Sequence, residues 1–140
     1  MVDVHTKEQR RYNMSRIRSE DTVPERMVRS WLWNHGYRYR LRNRNLPGRP
    51  DIVLRKYRTV IFVHGCFWHR HGCMYTTTPA TRTGFWNRKF LENTERDDRV
   101  IGQLRDLGWK VYVVWECELK GKLAEPDETF RKLEVFLKEK

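Results

Sequence analysis

The chain has 140 residues, which is the size of one domain with room for short terminal arms. Lysine and arginine number 29 against 18 acidic residues, giving a formal net charge of +11. Hydrophobic residues make up 39% of the chain, enough for a core, which excludes wholesale disorder. Neither a membrane span of roughly 18 apolar residues nor an apolar secretion signal is recognisable. We therefore expect a compact, basic, cytoplasmic domain.

The excess of positive charge predicts a polyanionic partner. Arginine is concentrated in the first fifty residues, at Arg10, Arg11, Arg16, Arg18, Arg26, Arg29, Arg38, Arg40, Arg42, Arg44 and Arg49. Its guanidinium group can bind a phosphate through two parallel hydrogen bonds. A merely solvated basic surface would have a similar composition, but six tryptophans add flat side chains that stack on bases. Charge and aromatic content together favour nucleic-acid binding.

The N-terminal half predicts an arm, a helix and a hairpin. Residues 1–21 are polar, with Met14 and Ile17 as the main apolar side chains, and read as an arm. The capping-box pattern from Thr22 to Glu25 begins a helix over 23–35, which Gly36 ends. A strand over 37–41 and a loop over 43–50 follow. Two β-rich runs, 51–54 and 60–63, are joined by polar residues as in a hairpin.

The C-terminal half predicts two helices around one strand. Residues 65–84 are irregular, and a long helix over 85–107 ends at Gly108. A buried strand spans 109–115, and a final helix over 126–138 turns an apolar face inward, with Phe130, Leu133, Phe136 and Leu137. This order of elements predicts an α/β domain built on one mixed sheet.

The three cysteines suggest a metal site in the irregular segment. Cys66 and Cys73 flank His71, and Cys117 follows the predicted strand 109–115. An odd number of cysteines in a cytoplasmic chain argues against disulfides. Three thiolates and an imidazole form a closed tetrahedral zinc set. Three buried thiols without a metal are the alternative, and His69 could compete with His71 as a ligand.

A second group of residues suggests a hydrolytic centre. Asp51 follows Gly-Arg-Pro at the start of a strand, and the next strand returns to His64. A carboxylate there can hold Mg²⁺ against a phosphate, with His69 and Glu25 as further candidates. Each residue also has a structural interpretation. Pro-Asp is often a turn, Glu25 can complete the capping box, and His64 can be a buried core histidine.

Several longer motifs resemble the very short patch repair (Vsr) DNA mismatch endonucleases. They lie at residues 46–51, at 65–69 with His71 and Cys73, at 79–83 before Phe85-Trp86, and at 114–117. The resemblance extends from about residue 3 to residue 120. It implies a restriction-endonuclease-like fold, with a mixed central sheet flanked by helices and a zinc-stapled loop. It also implies a Mg²⁺-dependent, strand-specific nick 5′ to the thymine of a T:G mismatch left by deamination of 5-methylcytosine.

The resemblance assigns roles to individual positions. Asp51 would bind catalytic Mg²⁺ together with the backbone carbonyl of Val63, and His69 would activate the water. Supporting positions around this centre would be Glu25, His64 and Asp97. Structural zinc would be held by Cys66, His71, Cys73 and Cys117. Contacts with DNA would come from Phe67, Trp68 and Trp86 as a wedge, although such aromatic residues are more often part of a core, and from Met14 and Ile17 on the arm. Helical spacing of three or four residues places Trp86, Lys89, Asn93 and Asp97 on one face of the long helix, so Lys89 and Asn93 could also reach the mismatch; an ordinary solvated lysine is the alternative for Lys89.

Two features depart from or refine the family pattern. Relatives commonly have threonine where this chain has Val63, but a backbone carbonyl is insensitive to that exchange. Related nucleases place an acid and a lysine on the second strand, where Val63 and Gly65 stand here. Histidine-assisted chemistry follows from this difference, since an imidazole accepts a proton near neutral pH.

The wedge suits a T:G pair, which is easily deformed.

The polar composition of residues 1–21 divides the chain into an arm, 1–21, and a domain, 22–140, and the resemblance makes them a DNA-contacting arm and an endonuclease domain. It implies a monomer that acts on double-stranded DNA in the bacterial cytoplasm, in association with the nucleoid. A cytosine-5 DNA methyltransferase, the mismatch-repair protein MutL and a repair polymerase would be functional partners. Two alternatives remain open: a zinc-stapled DNA-binding protein without catalysis, and a restriction-type nuclease that cuts intact DNA.

Overall fold

The computed structural model describes residues 22–41, 45–66, 80–122 and 124–139. Within these ranges the chain forms three α-helices and four strands. They are α1 (Val23–Asn34), β1 (Arg40–Leu41), β2 (Ile52–Leu54), β3 (Thr59–His64), α2 (Thr83–Asp106), β4 (Lys110–Trp115) and α3 (Pro126–Lys138). Short 3₁₀ turns occupy Arg55–Tyr57 and Glu116–Glu118. None of these helices is long and apolar enough to cross a bilayer.

The four strands form one mixed sheet in the order β1-β2-β3-β4. The pairs β1/β2 and β2/β3 are antiparallel, and β3/β4 is parallel. The turn between β2 and β3 closes at Arg58, whose φ of 50° lies in the left-handed region. The predicted hairpin and the predicted single mixed sheet are therefore both confirmed.

Helices cover both faces of the sheet, because successive strand residues point to opposite sides. One face packs against α1 and α3, in a cluster of Val28, Leu32, Ile52, Leu54, Ile61, Val63, Val114, Leu133 and Leu137. The other face packs against α2, in a cluster of Val53, Val60, Phe62, Val100, Leu104 and Val111. The result is a three-layer α/β/α arrangement with the sheet buried in the middle.

The ends of α1 agree with the predicted capping signals. Thr22 Oγ1 accepts a hydrogen bond from the Glu25 backbone N–H at 3.3 Å, which satisfies one unpaired donor of the first turn. The helix ends at Asn34, one residue earlier than predicted, and Gly36 follows with φ of 86°. Only Gly adopts this left-handed geometry without steric cost, which explains the stop.

Two predicted elements begin two or more residues away from their start in the structure, whereas the other predicted ends of helices and strands agree to within one residue. The strand over 37–41 is limited to Arg40–Leu41, because the Tyr37 backbone N–H still bonds to the Leu32 carbonyl at 2.9 Å and so closes the end of α1. The long helix begins at Thr83, two residues before the predicted start. The final helix, 126–138, is confirmed at both ends, with Leu133 and Leu137 in the core.

Candidate active site

Asp51 stands directly before β2 and reaches across to β3. Its Oδ2 accepts a hydrogen bond from the Val63 backbone N–H at 2.8 Å. The last paired residues of β2 and β3 on this side are Ile52 and Ile61. Beyond them, the Asp51 side chain takes the place of a β2 carbonyl as the acceptor for a backbone N–H of β3. In an antiparallel pair the N–H and C=O of one residue face the same neighbour. The Val63 carbonyl therefore points toward the side on which the Asp51 carboxylate lies.

His64 is the last residue of β3 and is buried, with 6% of its surface exposed. Its ring lies 5.6 Å from the Phe62 ring and 5.2 Å from the Trp115 ring, measured between centroids. In the parallel pair of β3 and β4, His64 is the partner of Trp115. Two aromatic neighbours thus hold the imidazole, one residue beyond the backbone group that binds Asp51.

Helix α2 aligns a stripe of side chains with this end of the sheet. The buried residues Phe90, Asn93, Val100 and Leu104 recur at helical spacing, and Asp97 falls on the same stripe and is half-buried. Because α2 connects the parallel strands β3 and β4, it runs antiparallel to both. Val100 and Leu104 pack on Val60 and Phe62, so Asp97, nearer the helix N-terminus, lies toward the His64 end of β3.

The N-terminus of α2 carries a group of aromatic rings. Trp86 stacks on Phe90 at 5.8 Å and meets the edge of Phe85 at 5.4 Å. The Arg82 guanidinium lies 4.6 Å from the centre of the Phe85 ring. Phe85 is 45% exposed, whereas Trp86 is half-buried. Trp86 was predicted from the sequence as a DNA contact, but the pair of Arg82 and Phe85 was not. The position of Phe85 directly before Trp86 could have indicated it.

The two polar residues expected to reach DNA from α2 differ in exposure. Lys89 is exposed beside the inward stripe. Asn93 is 8% exposed, and its Oδ1 accepts a hydrogen bond from Arg96 Nη2 at 2.8 Å. This bond from Arg96 uses one of the two acceptor positions of the Asn93 side-chain oxygen.

Glu25 is a buried acid on α1, with 2% of its surface exposed. It stands one turn before Val28, which packs in the same cluster as Val63. The residue is therefore on the helix face that covers the sheet. Its backbone N–H takes part in the cap at Thr22, and its side chain is buried.

Cys66 and Cys117 leave the sheet at the same end. Cys66 is completely buried two residues after His64, and Cys117 is half-buried two residues after Trp115, the strand partner of His64. Across the described ranges, no three His, Cys, Asp or Glu side chains gather closely enough to hold a metal ion. The predicted ligands His71 and Cys73 lie outside those ranges, so the zinc set stays a prediction.

Other predicted residues also lie outside the described ranges: Phe67, Trp68 and His69 in the irregular segment, and Met14 and Ile17 in the arm. Of the proposed centre, the structure places Asp51, Val63 and His64 at one end of the sheet. It places Asp97 on the helix that covers that end.

A basic α/β domain with a carboxylate held at the end of a buried hairpin, beside a histidine, has the features of a nuclease. The family model of the DNA mismatch endonuclease Vsr matches residues 2–75, more than half of the chain. The DNA mismatch endonuclease Vsr of Escherichia coli K12 is 49% identical over 128 residues, covering 91% of this chain and 82% of the relative. The chain belongs to the DNA mismatch endonuclease Vsr family, and it is a nuclease.

Two further relatives are named as type II nicking enzymes. V.NmeAIP of Neisseria meningitidis is 47% identical, covering 87% of each chain. V.XorIIP of Xanthomonas oryzae is 50% identical, covering 85% of this chain and 88% of the relative. The four-stranded mixed sheet between helices is consistent with a restriction-endonuclease-like domain. Membership in this family indicates DNA as the substrate and a divalent metal ion such as Mg²⁺ as cofactor.

Proposed function

We propose that the chain is a Mg²⁺-dependent, strand-specific endonuclease of very short patch repair. It would nick DNA on the 5′ side of the thymine in a T:G mismatch that arises from deamination of 5-methylcytosine. The observation that carries this proposal is the Asp51 carboxylate bonded to β3 at Val63, next to His64, in a chain 49% identical to a mismatch endonuclease. The net charge of +11 supports a DNA substrate.

The donor set at Asp51 fits Mg²⁺. This ion prefers oxygen ligands and is bound through one or two carboxylates, together with water and substrate phosphate. Asp51 and the Val63 carbonyl would supply two such oxygens from neighbouring strands. The Val63 side chain packs in the cluster that faces α1 and α3, so valine in place of threonine leaves the carbonyl unchanged. When bound, the ion would neutralise charge on the phosphate and orient the attacking water.

The proton in this reaction would be taken by histidine. We propose His69 as the group that accepts the proton from the attacking water, since an imidazole has an unperturbed pKa of about 6.5. His64 would support the centre from its position between Phe62 and Trp115, where packing restricts its ring. Asp97, on the facing helix, and Glu25, on α1, would orient these groups.

Recognition of the mismatch would come from aromatic side chains. Phe67, Trp68 and Trp86 would enter the base stack as a wedge, at a cost of a few kcal/mol per unstacked step. A T:G pair lowers this cost because it is more easily deformed than a matched pair. The stacking of Trp86 on Phe90 supports a fixed orientation for that ring. We also propose DNA contacts from Lys89 and Asn93.

Residues 1–21 would act as a DNA-contacting arm beside the endonuclease domain, 22–140. Met14 and Ile17 would supply its apolar contacts in the opposite groove. A cytosine-5 DNA methyltransferase would create the substrate indirectly, and MutL and a repair polymerase would act with this nuclease. We propose that the chain works as a monomer in the cytoplasm, at the nucleoid.

A structural zinc ion would hold the irregular segment to the sheet. Cys66 and Cys117 support this proposal because parallel pairing brings His64 and Trp115, which stand two residues before them, side by side. Soft thiolates are the ligands that zinc favours in closed sites. With His71 and Cys73 they would complete four ligands and fix the segment that carries the wedge and His69.

The proposal is tested by incubating the protein in Mg²⁺ with duplexes that differ only in having a T:G, an A:T or a G:C pair at one position. We expect a nick only in the T:G duplex, and none with Asp51→Asn. Asp106→Asn is the control, because this exposed aspartate ends α2 at a distance from the site. Binding without cutting would indicate a DNA-binding protein without catalysis, and cutting of matched DNA would indicate a restriction-type nuclease.

A further inference from the structure

The loop that precedes Asp51 packs tightly against α2 at Gly48. A Cβ atom added to Gly48 would overlap Cγ1 of Val100 and would lie 3.1 Å from Cγ2 and 3.2 Å from Cβ of the same residue. Val100 is itself buried, at 8% exposure, in the core between α2 and the sheet. Gly48 therefore allows the backbone of this loop to contact the helix directly.

The segment from Gly48 to Asp51 is conformationally stiff. Gly48 has φ of 72° and Arg49 has φ of 47°, a left-handed geometry that strains a residue with a Cβ atom. The Arg49 backbone N–H bonds to the Leu46 carbonyl at 3.2 Å, which closes the turn. Pro50 is fully buried, and its ring fixes φ. A displacement at Gly48 cannot be absorbed before the chain reaches Asp51.

The other side of this contact is equally rigid. Val100 is β-branched, and in a helix its side chain has one strongly preferred rotamer. It stands one turn after Asp97 on the same inward stripe of α2. The contact therefore fixes the loop that delivers Asp51 against the helix that carries Asp97.

We infer that the contact between Gly48 and Val100 is a positioning contact, which sets where the Asp51 carboxylate meets Val63. The inference rests on the proposed function, because it assumes that Asp51 is at the hydrolytic centre. Gly48 and Val100 act through Asp51 and touch no reacting atom. Displacing a positioned group by about 1 Å can lower a reaction rate about 100-fold, so a single methyl group at Gly48 should reduce catalysis strongly.

The first test compares two glycine substitutions. Gly48→Ala should lower the single-turnover nicking rate on a T:G duplex about 100-fold, and it should raise the Mg²⁺ concentration for half-maximal rate. Binding of the duplex, measured in Ca²⁺, should stay near that of the unaltered chain. Gly36→Ala is the matched control, since Gly36 has φ of 86° and nothing within 4 Å of an added Cβ. Both variants carry the left-handed strain, but only one has the steric overlap.

The second test is a rescue. Val100→Ala removes the methyl groups that an alanine at position 48 would meet, so the double variant should nick about tenfold faster than Gly48→Ala alone. A structural defect of the loop that did not depend on Val100 would not be rescued. Unchanged nicking by Gly48→Ala, a loss confined to DNA binding, or no gain in the double variant would each overturn the inference.

A third comparison stands even if Gly48→Ala fails to fold. Val100→Ala and Leu104→Ala both remove apolar side chains from the same core cluster, and Leu104 is one turn farther from Asp97. At a temperature at which both variants are folded, we expect Val100→Ala to slow nicking and Leu104→Ala to leave its rate unchanged. Equal rates in the two variants would contradict the inference. If the unaltered chain does not nick T:G DNA at all, the proposed function fails instead.

Discussion

Replacing Asp51 in two ways separates its structural contribution from its catalytic one. Asp51→Ala removes the acceptor of the Val63 N–H, which belongs to a residue only 9% exposed. A hydrogen bond to a charged group contributes about 1.5–3 kcal/mol to stability. For a domain of this size that corresponds to a fall in Tm of roughly 5–12 °C. Asp51→Asn keeps an acceptor oxygen without the charge, and should lose about half as much.

The assay is thermal unfolding followed by circular dichroism, beside nicking of a T:G duplex. We expect the Tm to be highest for the unaltered chain, lower for Asp51→Asn and lowest for Asp51→Ala. Nicking should be abolished in both variants. The exposed Asp106→Ala serves as the control for loss of a negative charge. If Asp51→Ala is as stable as the unaltered chain, the bond to Val63 does not contribute as described. Nicking by a folded Asp51→Asn at the normal rate would remove Asp51 from the centre.

Three further predictions concern other parts of the molecule. Metal analysis of purified protein should find about one zinc ion per chain, lost in Cys117→Ser; zinc retained by that variant would end the four-ligand proposal. Trp86→Ala should reduce discrimination of T:G over matched DNA far more than Lys56→Ala, and equal losses would refute the wedge. Burial, and secondarily Glu118, raise the pKa of Tyr112 above its usual 10.0. Stability from the protonated phenol is therefore present below pH 10 and is lost as the pH rises toward the folded-state pKa. Between about pH 9 and 11, the free energy of unfolding measured in urea should fall less steeply with pH in Tyr112→Phe than in the unaltered chain. An identical dependence on pH in the two proteins would contradict this.

The parts of the fold that local signals determine were predictable from the sequence. Thr22 and Gly36 mark the ends of α1, and Pro126 begins α3, because each supplies a cap or a backbone geometry that its neighbours require. The hairpin of β2 and β3 followed from two apolar runs separated by polar residues. The single mixed sheet followed from the order of helices and strands, in which α2 connects β3 to its parallel neighbour β4.

Contacts between distant segments were not predictable in the same way. The strand over 37–41 was predicted too long because the bond from Tyr37 to Leu32 depends on how α1 ends. The overlap that Gly48 avoids depends on Val100, fifty-two residues later in the sequence, and no local pattern indicates it. The burial of Glu25 likewise comes from packing of α1 on the sheet. Roles that came from family resemblance, such as that of His69, needed motif recognition.

The central claim is that the phosphate on the 5′ side of the mismatched thymine is cut at a metal ion bound by Asp51. It is tested most directly with duplexes in which sulfur replaces one non-bridging oxygen of that phosphate. Mg²⁺ binds oxygen and Mn²⁺ tolerates softer ligands, so one diastereomer should be nicked slowly in Mg²⁺ and faster in Mn²⁺. The same sulfur placed one phosphate away should have little effect. An equal rate for both positions in Mg²⁺ would contradict the account.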